Sequence, residues 1–79
     1  MSKTLKVGSK IQYRGRWGKD MPKETTILSI ELCENEGDKY GKLVDEMTQE
    51  NYMRCCLELA DKHWCYGTQV DWNESVALN

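Results

Sequence analysis

From Val7 to Arg14 apolar and polar side chains alternate. Val7, Ile11 and Tyr13 fall on one side of an extended chain, and Lys10, Gln12 and Arg14 on the other. That period of two predicts a strand over about residues 7–14. A second alternation runs from Thr25 to Cys33 and is rich in β-branched residues. In it Leu28, Ile30 and Leu32 share one face, and Ile27, Ser29, Glu31 and Cys33 the other. Between these strands, residues 15–24 carry Gly15, Gly18 and Pro22 and read as a long loop, because proline cannot donate to a central ladder. The run Asn35-Glu36-Gly37-Asp38-Lys39 is a turn signal, and a third strand is expected at about residues 40–47.

The next stretch admits two readings. With Thr48 as a cap, Tyr52, Cys55, Cys56, Leu59 and Ala60 approximate helical spacing, which would put a helix at about residues 48–60. As a strand, Met53, Cys55, Leu57 and Leu59 alternate with Arg54, Cys56 and Glu58. The strand reading is favoured because Asp61-Lys62 fits a two-residue turn that returns through a strand at His63 to Tyr66. That turn would pair Leu59 with Trp64 and Glu58 with Cys65. Gln69 to Trp72 supplies a last short turn or strand. The expected fold is mostly β: five short strands in a small bent barrel. An α+β arrangement is the alternative if residues 48–60 are helical.

The chain has 79 residues, enough for one domain with a thin core. The expected organisation is a loose N-terminal segment at 1–6, the barrel at 7–72 and a loose tail at 73–79. The expected core is Val7, Ile11, Tyr13, Leu28, Ile30, Leu32, Val44, Leu57, Leu59, Trp64 and Tyr66. There is no phenylalanine; tyrosine and tryptophan supply every aromatic ring, and their polar handles suit half-exposed positions.

Charge is divided along the chain. Residues 1–23 hold seven cations against Asp20 alone, a net +6; residues 24–79 hold four cations against twelve acids, a net −8. A two-signed surface is the expectation, unless the opposite charges meet on folding. Residues 1–20 have no apolar run of the kind a signal peptide needs, and no stretch reaches the ~20 apolar residues of a membrane span. A cytoplasmic location with reduced thiols at Cys33, Cys55, Cys56 and Cys65 is therefore expected, away from membranes.

The opening Val7-Gly-Ser-Lys-Ile-Gln-Tyr-Arg-Gly15 resembles the first strand of SH3-like small barrels, including the Tudor-like and KOW-like groups. Gly15-Arg16-Trp17-Gly18 through Ile30-Glu31, with His63-Trp64-Cys65-Tyr66-Gly67, is similar to small uncharacterised proteins of bacteria and their phages. The likeness spans about residues 7–70. It implies an SH3-like fold and a bacterial or phage setting, and no particular activity. The proline-peptide motif of SH3 domains is absent, and the aromatic cage of Tudor domains has no residue-by-residue counterpart.

The candidate chemistry is sparse. His63 is the single histidine, and no nucleophile motif surrounds it. A His63–Cys65 pair would lower a thiol pKa, but it lacks an orienting third group. No catalytic residue and no cofactor are expected, so the chain reads as a non-enzyme. The two-residue turn would place Cys56, His63 and Cys65 on one face as a possible zinc site, though adjacent cysteines are not the usual ligand spacing and buried structural cysteine is the commoner outcome.

Two binding readings remain. Arg14, Arg16, Trp17 and Lys19 in the long loop, with Trp72 near the end, are the residue types that dominate protein interfaces. Trp72 would otherwise serve as a lid on the barrel. The favoured expectation is a small protein-binding module, one form of which is an accessory protein of a phage or mobile element that inhibits or modulates a host protein. The alternative is nucleic-acid binding through the basic Lys10–Lys23 segment, using Lys10, Tyr13, Arg14, Arg16, Trp17 and Lys19, in which cations meet phosphates and rings stack on bases. The pI of about 5.3 weighs against it. Partner and oligomeric state are left open by the sequence.

Overall fold

The computed structural model describes residues 4–15 and 19–76. They form eight strands: β1 (Thr4–Lys6), β2 (Lys10–Tyr13), β3 (Lys23–Leu32), β4 (Lys42–Val44), β5 (Glu46–Thr48), β6 (Cys55–Leu59), β7 (Trp64–Tyr66) and β8 (Val70–Val76). Five of them make an antiparallel sheet in the order β7-β6-β3-β2-β8, curled into a half-barrel. β4 adds to β3, and β1 pairs with β5 as a separate ribbon. The fold is mostly β, as the alternation predicts. The helical alternative for residues 48–60 shrinks to one 3-10 turn at Tyr52–Arg54.

β3 organises the sheet. Its first half pairs with β2, its second half with β6, and its last three residues also with β4. Between those halves the alternation changes phase. Ile27 stands opposite Leu59 but Ser29 opposite Glu58, so Leu28 is an extra residue without a ladder partner on β6. This is a β-bulge, which bends a strand and re-aims its side chains. Ile27 and Ile30 are both buried, while Leu28 is 52% exposed. The expected face of Leu28, Ile30 and Leu32 is therefore corrected: an ideal period of two cannot count through a bulge.

The β6–β7 hairpin departs from expectation by one residue. The Leu59 N–H donates to the His63 carbonyl at 3.0 Å and the Lys62 N–H to the Leu59 carbonyl at 3.2 Å. The connection is thus three residues, Ala60-Asp61-Lys62, with Lys62 in the left-handed region at φ 69°. Such loops place their last residue there. Leu57 then faces Cys65, and Glu58 faces Trp64. A one-residue slip exchanges the two faces of a strand. Cys65 is buried, and Trp64, expected in the core, is exposed.

The core is built from Leu5, Ile11, Tyr13, Ile27, Ile30, Met47, Cys55, Leu57, Leu59, Cys65 and Val70. Ile11, Tyr13, Ile30, Leu57 and Leu59 were expected there. Leu32 and Val44 pack against its edge, Tyr66 is half-buried, and Val7 joins Leu28 and Trp64 at the surface. Leu5 corrects the loose N-terminal segment: it lies on β1 opposite Met47, and the two fully buried side chains close the open side of the half-barrel. Each buries enough apolar surface to contribute about 2 kcal/mol. The tail is corrected likewise. β8 runs to Val76, and the buried Ser75 hydroxyl accepts the Gln12 N–H at 3.1 Å and donates to the Asp71 carbonyl. It bridges the point where the β2–β8 register breaks.

Candidate functional site

The bulge and the hairpin register have a joint result. They turn Leu28 and Trp64 outward on the same face of the β3–β6–β7 sheet, beside Ser29, Glu31, Cys56 and Glu58. The loop over residues 33–41 leans on this face. The Tyr66 hydroxyl donates to the Gly37 carbonyl at 3.0 Å, and Lys39 Nζ sits 4.3 Å from the centre of the Trp64 ring. Trp64 in turn meets Tyr66 edge-to-face at 5.2 Å. Between loop and hairpin lies a groove of about 490 Å³. Its floor is the sheet face, one wall is Lys39 and Tyr40, and the other is Lys62, His63 and Trp64.

Large apolar groups are exposed in this groove. Tyr40 is 85% exposed and Trp64 45%, with Leu28 between one-half and two-thirds accessible to water. Two carboxylates share the floor. Glu58 accepts the Ser29 hydroxyl at 3.3 Å, and Glu31 accepts the Gly41 N–H at 3.2 Å. Tyr40 also borders a neighbouring cleft with Leu32, Cys33, Lys42 and Arg54. The Trp64 groove is the stronger candidate because three exposed apolar side chains converge on it.

Of the residues expected to bind a partner, the described ones do not line this groove. Arg14 is exposed at the end of β2. Its N–H donates to the Gln69 carbonyl at 3.0 Å, and its Nη1 donates to the Asp20 carbonyl at 3.2 Å. Lys19 is exposed, and its N–H donates to the Gly15 carbonyl at 3.1 Å. Arg16 and Trp17 lie outside the described residues. Trp72 is half-buried, packs on the core and meets Tyr52 edge-to-face at 5.7 Å. For the nucleic-acid alternative, Lys10 is exposed, but the Tyr13 ring is 2% exposed and offers no face for stacking.

Cys56, His63 and Cys65 do not come together. Cys56 faces the groove, Cys65 points into the core, and His63 is exposed at the hairpin end. The expected common face depended on the two-residue turn. Among the described residues, no group of three or more histidine, cysteine or acidic side chains is placed to hold a metal. Burial pushes the Cys65 thiol up to about 12 and the Cys55 thiol up to about 11. Burial raises Cys33 and Cys56 as well. These four thiols are protonated at neutral pH, so the His63–Cys65 pair does not make a thiolate nucleophile.

His63 belongs instead to a small polar cluster. Its N–H donates to Asp61 Oδ1 at 3.1 Å, and its Nδ1 lies 3.5 Å from the Tyr13 hydroxyl. Burial works against ionisation of Asp61. The hydrogen bonds from Tyr13 and the His63 N–H outweigh it, with the charges of His63 and Lys23, and hold the carboxyl below its usual range. This cluster locks the hairpin loop in place.

Leu28, Lys39 and Tyr40 were not expected at a site. Only the exposure of Tyr40 in a turn-rich stretch was a readable signal. Comparison of the chain with protein-family models, characterised proteins and solved structures finds no match.

Proposed function

We propose that this chain is a small, non-enzymatic protein-binding module of SH3-like barrel type, and that the groove beneath Trp64 is its docking surface. The strand order and the curl of the half-barrel support the SH3-like reading. The single observation that carries the function is the convergence of exposed Leu28, Tyr40 and Trp64 on one groove. Apolar side chains exposed together mark interaction sites more often than scattered ones do. Tryptophan and tyrosine are also the side chains that most often anchor interfaces.

The test is capture from bacterial lysate, with and without nuclease, using the wild-type chain and two double variants. A stoichiometric protein that survives nuclease is expected with wild type and with Arg14→Ala/Lys19→Ala, and is lost with Tyr40→Ala/Trp64→Ala. Loss with the basic variant alone would move the surface to the long loop. Capture that vanishes with nuclease would replace this reading with nucleic-acid binding.

A further inference from the structure

We propose that the groove takes an extended protein segment that seats an arginine or lysine side chain on the Trp64 ring, beside the Glu58 and Glu31 carboxylates, with aliphatic neighbours against Leu28 and Tyr40. This rests on the groove being a docking surface and adds the chemistry of the occupant.

The floor selects for a cation. Glu58 stands opposite Ser29 and Glu31 opposite Cys56 in the β3–β6 ladder. The two carboxylates are thus diagonal neighbours on adjacent strands, about 7–8 Å apart at the backbone. Each has a neutral hydrogen-bond donor, Ser29 or Gly41. Among the described residues, neither has a cation within ion-pair distance. Two like charges left side by side on a sheet repel, and a cation entering between them relieves that repulsion.

The ring at the same place already holds a cation. Lys39 Nζ sits 4.3 Å from the Trp64 ring centre. The protein's own ammonium thus occupies the position that a partner's cation would take. A guanidinium would replace it favourably, because it stacks on aromatic faces and is more weakly hydrated than an ammonium. Outside the groove lining, the 33–41 loop carries Glu34, Glu36 and Asp38 beside its single base, Lys39. Lys62 stands beyond Trp64 at the hairpin loop. The occupant's cation therefore sits between the Trp64 ring and the 33–41 loop, where Lys39 Nζ now lies, and not against Lys62.

The test is titration of the 79-residue chain with three five-residue peptides, followed by amide NMR shifts and Trp fluorescence at low salt. The peptides are acetyl-Leu-Arg-Leu-Ser-Leu-amide and its counterparts with Glu or Ser in place of Arg. The Arg peptide is expected to shift the amides of Leu28, Glu58 and Trp64 and to bind at least tenfold tighter than the Glu peptide. Glu31→Gln/Glu58→Gln should remove most of that preference. Lys39→Ala should strengthen Arg-peptide binding severalfold, since it vacates the ring; a merely structural Lys39 would weaken it. Groove shifts with equal or stronger binding of the Ser or Glu peptide would overturn the cation and leave the docking surface standing. Shifts away from the groove, or none with any peptide at millimolar concentration, would overturn both. Groove shifts on dilution without peptide would overturn the proposal in favour of a second copy of this chain.

Discussion

The Tyr13 hydroxyl donates a 2.7 Å hydrogen bond to Asp61 Oδ2 across 48 residues of sequence. It ties the end of β2 to the loop of the β6–β7 hairpin, so the hairpin that carries Trp64 is braced from the opposite side of the sheet. Tyr13→Phe keeps the ring and removes the bond. A hydrogen bond to a charged acceptor that is partly exposed contributes about 1–2 kcal/mol, and urea unfolding should show a loss of that size.

Acid should reveal the same contact. The folded Asp61 carboxyl titrates below its ordinary value. Its contribution is therefore present above the unfolded pKa, near 3.8, and is lost as pH falls through the lower folded value. Stability measured from pH 6 down to pH 2 should decline in wild type below about pH 4. The decline should be shallower in Tyr13→Phe, and equal slopes would remove Asp61 from the account.

Alkali acts through the thiols. Cys65 and Cys55 titrate in the unfolded chain near 9 and in the folded chain near 12 and 11. Their contribution is whole below pH 9 and is lost as pH rises through the folded values. Burial, with the Asp61 hydrogen bond and charge, also raises Tyr13, which adds to the loss above pH 10. Under reducing conditions, stability should fall above pH 9 by up to ~1.4 kcal/mol per pH unit for each group. Cys65→Ala should be less stable at pH 7 and should show a smaller alkaline slope.

The bulge predicts a contrast between neighbours. Leu28→Ser should change stability by no more than about 0.5 kcal/mol, as at other surface positions. Ile27→Ala and Ile30→Ala should each cost about 2–5 kcal/mol. Thermal unfolding of the three variants decides it; a large effect at Leu28 would place its side chain in the core.

Gly67 is set by close approach. A Cβ there would be driven into the Tyr52 carbonyl and would come within 2.9 Å of Met47 Sδ. Gly67→Ala should cost about 1–3 kcal/mol through overpacking, visible as a lowered melting temperature.

Local pattern carried much of this fold. The alternation at Ile11 and Tyr13, and at Cys55, Leu57 and Leu59, pointed inward as read. Two of the errors arose where a count changed by one. The extra residue at Leu28 and the third loop residue at Lys62 are set by the sheet's bend and by cross-strand pairing, which no short window contains. The groove was unreadable for the same reason: Leu28 and Trp64 reach the surface only through those two shifts. β1 was missed because Leu5 is a lone apolar residue among polar ones, and its partner Met47 lies 42 positions away in sequence.

The three-residue hairpin loop also constrains descent. Adding or deleting one codon between Ala60 and Lys62 would trade Cys65 for Trp64 at the core and erase the groove in a single step. Length there sets which face is buried, and Asp61 adds the bond from Tyr13 that braces the loop. The 33–41 loop leans on the sheet face through Gly37, Lys39 and Gly41, and a residue added at its exposed 34–36 stretch would turn no strand over. Loop length is thus fixed at the hairpin by the identity of the core residue and free to vary at the exposed part of the second loop.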